Sequence, residues 1–430
     1  MTKIKSFAAI RPREDLAEKV AALPYDVYSR EEAAAVVLDR KLSFLNIDRP
    51  ETQFSPVQDM YADIVYKKAD EMLKKWIDEG ILIQDETPSY YVYSLTMNGR
   101  TQTGLVALSS VDDYLENIVK KHENTRADKE EDRVNHVNVT SMQTGPIFLA
   151  YRDSEDVDAL VNGVLLTQPL YDFVAEDGIR HTLYQVPLPE MDAAFTEAFR
   201  EIPCTYIADG HHRAASAVRV AKMRRAEHPD YTGEEEFNWF LSVIFPMSQL
   251  KIFDYNRVVK DLRGLTDAEF LEKVSESYQI ERLDLDGFAN SNGNTNFGGA
   301  SGEYMRPRKK GETGMYLNGV WYRLTARDSI VNDDPVAGLD VSLLQDHVLG
   351  PILGIEDPKT DRRIDFVGGI RGVKELERRA DACGGAAFLM YPTSMEELFA
   401  VADAGLLMPP KSTWFEPKLR SGLFMHRIER

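Results

Sequence analysis

Asp209-Gly210-His211-His212-Arg213 joins a turn glycine to three nitrogen-rich side chains at the end of an apolar run, Tyr206-Ile207-Ala208. An alanine-rich pattern follows to about Ala226. This succession predicts a strand, a tight turn and a helix start. Gly210 opens backbone conformations closed to other residues. The first turn of a helix presents unpaired N–H groups and a partial positive charge. With His212 and Arg213 added, the expected ligand is an anion, a phosphate first of all. His212, Ser216 and Arg219 fall at i, i+4 and i+7, so they share one helix face and form an expected polar ligand stripe. The plain alternative is two surface histidines and an arginine paired with a carboxylate.

A second constellation lies upstream, from Lys120 to Arg133. One reading is a solvated helix start, with Asp128 and Glu131 as a capping box and Lys129 stacked on Arg133. The other makes Glu123 a general base and Arg126 an anion clamp, the two parts that transfer to a hydroxyl requires. Three further stretches carry polar groups. Lys411 and Ser412 lie in the segment Pro410 to Lys418, which reads either as a ligand-closing loop or as a packed C-terminal loop. Asp26, in Pro24-Tyr25-Asp26-Val27, stands either in a cleft or in a turn, and Asn256-Arg257 is a further ligand-facing candidate. Adjacent helical histidines diverge by about 100°. His122, Asp209, His211 and His212 are therefore not expected to make a metal site from protein groups alone. A Mg²⁺ ion carried in with a nucleotide fits better.

The elements that must position these residues alternate along 430 positions, enough for two or three domains. We expect a region 1–110, a core 111–265 and a region 266–430. Ser29 caps a helix to about Leu38, and Tyr61 to Glu79 is helical with Gly80 after it. Leu16 to Leu23 is a short helix ended by Pro24. Asn98-Gly99 and Asn318-Gly319 each sit between strand patterns as hairpin turns. Ile147 to Tyr151 and Tyr184 to Val186 are strands, and Trp239 to Phe245 is a central one. Gly287 to Gly302 is a loop. Phe388 to Tyr391 is a strand, and Ser394 starts a helix.

Composition narrows the classes. The 51 Lys and Arg against 70 Asp and Glu give a net charge of −19, unfavourable for general binding to nucleic acid or anionic membranes. Cys204 and Cys383, the only cysteines, give neither a disulfide framework nor a cysteine metal site. With no long apolar run and no secretory pattern, the expected location is the cytoplasm.

Asp209-Gly210-His211-His212-Arg213-Ala214-Ala215-Ser216 resembles the phosphate box of the ParB/sulfiredoxin superfamily, in the variant of its free-serine kinases. His122-Glu123 with Arg126 is similar to the segment that carries the catalytic glutamate in those kinases. The resemblance implies an α+β (mixed α/β) fold, a ParB/sulfiredoxin-like core with large N- and C-terminal additions. It implies Glu123 and His212 as catalytic residues. It assigns Arg126, Asp209, the Gly210 backbone, His211, His212, Arg213 and Ser216 to nucleotide phosphate. Mg²⁺ with ATP or ADP would be the cofactor, CTP the alternative, and free L-serine the first substrate. A sulfiredoxin-type reductase needs cysteine where His211 stands, and a ParB-type DNA clamp needs a basic helix-turn-helix module. The whole chain also resembles a bacterial and archaeal family of unknown function, through Leu23 to Val27, the Lys-His-Glu segment and Pro410-Lys411-Ser412-Thr413-Trp414-Phe415. A non-catalytic regulator that binds a nucleotide or phosphometabolite, and a phosphate-ester hydrolase, remain as alternatives. An oligomer is compatible with all of these readings.

Overall fold

Asn98 and Gly99 turn the chain with φ of 51° and 77°. Positive φ at both central residues defines the two-residue turn that matches strand twist. It joins strands Tyr91–Met97 and Arg100–Ser110, paired from Tyr91↔Val106 to Met97↔Arg100. Asn318 and Gly319 do the same, at 46° and 81°, for Glu312–Leu317 and Val320–Ala326. The structure, a computed structural model, describes residues 1–284 and 300–429.

The chain forms two compact units, Met1–Leu250 with Pro417–Arg430, and Lys251–Glu416. The first is built on a nine-stranded mixed sheet. Its strand order runs Val119–Lys120, Thr205–Asp209, Ile147–Tyr151, Trp239–Pro246, Arg100–Ser110, Tyr91–Met97, Arg180–Gln185, Tyr171–Val174, and Ile4–Lys5 adds to Arg100–Ser110. The expected regions 1–110 and 111–265 thus supply strands to one sheet. Trp239–Pro246 is central and buried along its whole length, parallel to Ile147–Tyr151 and antiparallel to Arg100–Ser110. A strand covered on both faces reads as an unbroken apolar run, as this one does.

The helix His211–Glu227 lays Ala214, Ala217, Val218 and Ala221 into the same core as Ile207, Leu149 and Ile244. Small side chains at this spacing let the helix lie close on the sheet. The helix Ala127–Thr140 packs beside it. The second unit holds a six-stranded sheet whose paired strands are all antiparallel. The mixed α/β class expected from sequence is the class observed.

Local signals mark the element ends. Ser29 and Glu32 form a capping box on Arg30–Asp39, and Ser394 and Glu397 form one on Met395–Asp403. The helix predicted over Leu16 to Leu23 is shorter, Ala17–Val20, preceded by a 3₁₀ turn at Glu14–Leu16. Asp128 does not cap: the helix starts at Ala127 with Arg126 before it, so Asp128 lies in the first turn. The predicted Gly287–Gly302 loop lies outside the described residues up to 299, and Ala300–Met305 is helical. Among the described residues no helix is long and apolar enough to cross a membrane.

Candidate functional site

Strand Thr205–Asp209 ends in Gly210, whose φ of 95° and ψ of 30° place it in the left-handed region, and His211 opens the helix. A side chain is disfavoured there twice over. The conformation disfavours any Cβ, and a Cβ at this position would stand 3.1 Å from the Arg213 guanidinium nitrogens. Arg213 folds back across the glycine and donates to the Pro146 carbonyl at 2.5 Å. The first turn contains no acidic residue.

Asp209 turns toward the helix mouth. Its Oδ1 accepts the Gly210 N–H at 2.8 Å, and its Oδ2 accepts from the Lys418 ammonium at 2.8 Å. Burial alone would raise this carboxyl. The Lys418 and Arg213 charges outweigh burial and hold it well below the usual carboxylate range. The mouth is therefore a mixed-charge site in which one carboxylate already occupies a backbone donor.

The two sequence constellations meet here. The Arg126 N–H donates to His212 Nε2 at 3.0 Å, so the neutral His212 ring carries its proton on Nδ1. His122 and His211 stand edge to face with ring centroids 4.5 Å apart. Both are buried, and both nitrogens of His122 and Nε2 of His211 make no well-formed hydrogen bond, although the Ile207 backbone faces the His122 ring. A Glu123 carboxylate oxygen and one nitrogen from each of these rings lie within 4.8 Å of one another. Burial pushes His122 down to about 4 against the pull of Asp209 and of the Ile207 backbone. Burial, reinforced by His122, sends His211 well below the ordinary value. Both rings are neutral at pH 7.

Other expected contributors lie differently. The Arg126 guanidinium pairs with Asp128 at 2.9 Å. The polar stripe packs toward the Ala127–Thr140 helix: Arg219 bridges Glu130 and Glu131, and Ser216 is buried with its hydroxyl on the Arg213 carbonyl. Beside the first two turns lies a cavity of about 30 Å³ bordered by Arg133, Thr144, Arg213, Ser216 and Ser421. A water needs roughly 10–15 Å³, so this space admits water and no nucleotide. Asp26 is exposed on a separate cleft of about 110 Å³ that also takes in Arg49, Lys129 and Arg133. Tyr25 beside it stacks under the Arg133 guanidinium at 4.0 Å.

Lys411, Ser412, Asn256 and Arg257 belong to the second unit. Ser412 donates to the Pro409 carbonyl, and the Lys411 ammonium lies over the Tyr255 ring. Asn256 and Arg257 are buried and bonded inside that unit, Asn256 to Asp254 and Arg257 to the Lys411 carbonyl. They face protein groups, not open space. The residue that sequence reasoning passed over is Lys418. It stands in the stretch already singled out, but its partner Asp209 is 209 positions away and no spacing rule connects them.

Residues 4–342 match the family described as a protein of unknown function (DUF1015). The chain belongs to that family. No curated protein matches it. Among solved structures it is similar to a free serine kinase in complex with AMP, at 13% identity and TM-score 0.36, over 74% of this chain and 91% of that one. A mutant free serine kinase in complex with ADP gives 14% identity and TM-score 0.34, over 76% of this chain and 93% of that one. A conserved hypothetical protein from Pyrococcus furiosus gives 12% identity and TM-score 0.33, over 74% and 94%.

Proposed function

We propose that this protein is a nucleotide-dependent phosphotransferase acting on a small hydroxyl metabolite, with free L-serine as the first substrate to test. The observation that carries the reading is the meeting of Glu123 with the helix mouth, fixed by the Arg126 N–H on His212 and by the closeness of Glu123 to His211. Phosphoryl transfer depends mainly on positioning and charge, so one carboxylate beside a cluster of cations is a sufficient kit. Glu123 takes the hydroxyl proton. His212 and Arg213, with the backbone after Gly210, hold phosphate charge. Mg²⁺ would arrive with ATP, ADP or CTP. The box at 209–216, with its resemblance to a ParB-like phosphate box, supports the phosphate assignment.

A second reading has its own support. Arg126, Arg213 and Lys418 already have protein partners in Asp128, Pro146 and Asp209. A site whose cations are engaged in advance suits a regulator that binds a nucleotide without turning it over. Incubation of the purified protein with each nucleotide, Mg²⁺ and serine, followed by detection of phosphoserine, separates the two. We expect turnover, lowered by roughly 100-fold or more in Glu123→Gln. Tight nucleotide binding without turnover would select the regulator, and full activity in Glu123→Gln would remove the base.

A further inference from the structure

His122 and His211 present a problem that phosphate binding does not solve. Three buried ring nitrogens make no well-formed hydrogen bond, with only the Ile207 backbone facing the His122 ring, although buried polar atoms are nearly always satisfied. The rings come from different elements: His122 follows strand Val119–Lys120, and His211 opens the helix. The divergence that separates neighbouring helical histidines does not apply to this pair. Glu123 adds a carboxylate oxygen, and among the described residues this is the one group of three such side chains close enough for an ion.

We propose that His122, His211 and Glu123 form a binding site for a divalent transition ion of the zinc class. Two imidazoles and a carboxylate suit Zn²⁺ or Co²⁺, whereas Mg²⁺ favours oxygen ligands and keeps its waters. Ligand atoms around a tetrahedral ion stand roughly 3.4 Å apart, given metal–ligand distances near 2.1 Å. The present spacing, within 4.8 Å, would have to shorten by up to about 1.4 Å when an ion binds. Three protein ligands leave the fourth position to water or a small anion. This site goes beyond the phosphotransferase reading and does not need it. An ion held there uses the Glu123 carboxylate, so metal binding and proton abstraction by Glu123 exclude each other.

The test reads binding, not turnover. The full chain, stripped with chelator, is titrated with Co²⁺ and followed by visible absorption, then challenged with Zn²⁺. We expect one Co²⁺ per chain and displacement by Zn²⁺. His122→Ala, His211→Ala and Glu123→Gln should each weaken binding by more than about tenfold, the least that losing even an outer partner costs. His228→Ala, at an exposed histidine, should bind as the parent does. Circular dichroism checks that each variant is folded. Glu123 is partly exposed and Gln matches its shape, so that arm stands if a histidine variant unfolds. Absence of stoichiometric Co²⁺, or parental affinity in Glu123→Gln or in a folded histidine variant, overturns the site. A protein without phosphotransferase activity leaves this result standing.

Discussion

Gly210 and Arg213 form one device. The left-handed backbone lets the chain swing from strand to helix without a side chain in the way, and the space left empty is filled by the Arg213 guanidinium. Gly210→Ala would strain the backbone and push that guanidinium aside, at a cost of about 1–2 kcal/mol. The check is a urea midpoint that falls with an unchanged slope; an unaltered midpoint would mean that the turn relaxes freely. Lys418→Met removes the cation that balances Asp209. Asp209 then keeps only part of its compensation, and the expected loss is roughly 1–3 kcal/mol at neutral pH. The sign with pH follows from the depressed carboxyl. Its stabilisation is present above the ordinary carboxylate range and is lost as pH falls, so parent and variant should converge in acid. A difference that stays constant from pH 7 to pH 3 would show that Lys418 acts by packing instead.

Helix His211–Glu227 shows where sequence patterns inform and where they stop. Its start, its end and its alanine face toward the sheet follow from Asp-Gly, from the apolar spacing and from the small residues. The hairpins at Asn98-Gly99 and Asn318-Gly319 and the boxes at Ser29 and Ser394 were readable for the same reason: their determinants lie within four residues. The destination of the polar stripe was not readable. A helical face formed by His212, Ser216 and Arg219 is equally suited to a ligand or to another helix, and only tertiary packing decides. The encounter of His122 with His211, and of Lys418 with Asp209, likewise depends on strand order, which no local period encodes. A helix-to-helix role for the stripe makes a prediction of its own. Arg219→Ala breaks two partly exposed ion pairs, so it should cost under about 1 kcal/mol and leave nucleotide affinity unchanged. Arg213→Ala, at the helix mouth, should weaken affinity by about tenfold, the equivalent of one hydrogen bond to a charged group. Equal effects of the two changes in equilibrium dialysis would return Arg219 to the ligand face.

Across the whole molecule, the two units carry buried titratable groups of opposite sign. In the first, burial pushes His122 down to about 4, and burial with the neighbouring Arg420 charge pushes His181 down to about 3. His181 is locked as a neutral ring between the Tyr93 hydroxyl at 2.7 Å and the Arg420 guanidinium at 3.2 Å. In the unfolded chain both rings take up a proton near 6.5. Between that value and about 4 the unfolded state binds more protons, so stability is full above 6.5 and is lost as pH falls. In the second unit, burial pushes Asp340 up to about 7, with the Gly311 N–H as its donor. The unfolded Asp takes up its proton only near 3.9. Here the folded state binds more protons in between, so stability rises as pH falls from 7 toward 4. Each group contributes at most about 1.4 kcal/mol per pH unit. Thermal melts at pH 7 and pH 5 should therefore respond to substitution in opposite ways. His181→Gln should flatten the acid loss. Asp340→Asn, which keeps the shape of the protonated acid, should stabilise the protein at pH 7 and have little effect at pH 4. If Asp340→Asn lowers the melting temperature at pH 7, the ionised carboxylate is being held by a partner, and its upward shift is refuted.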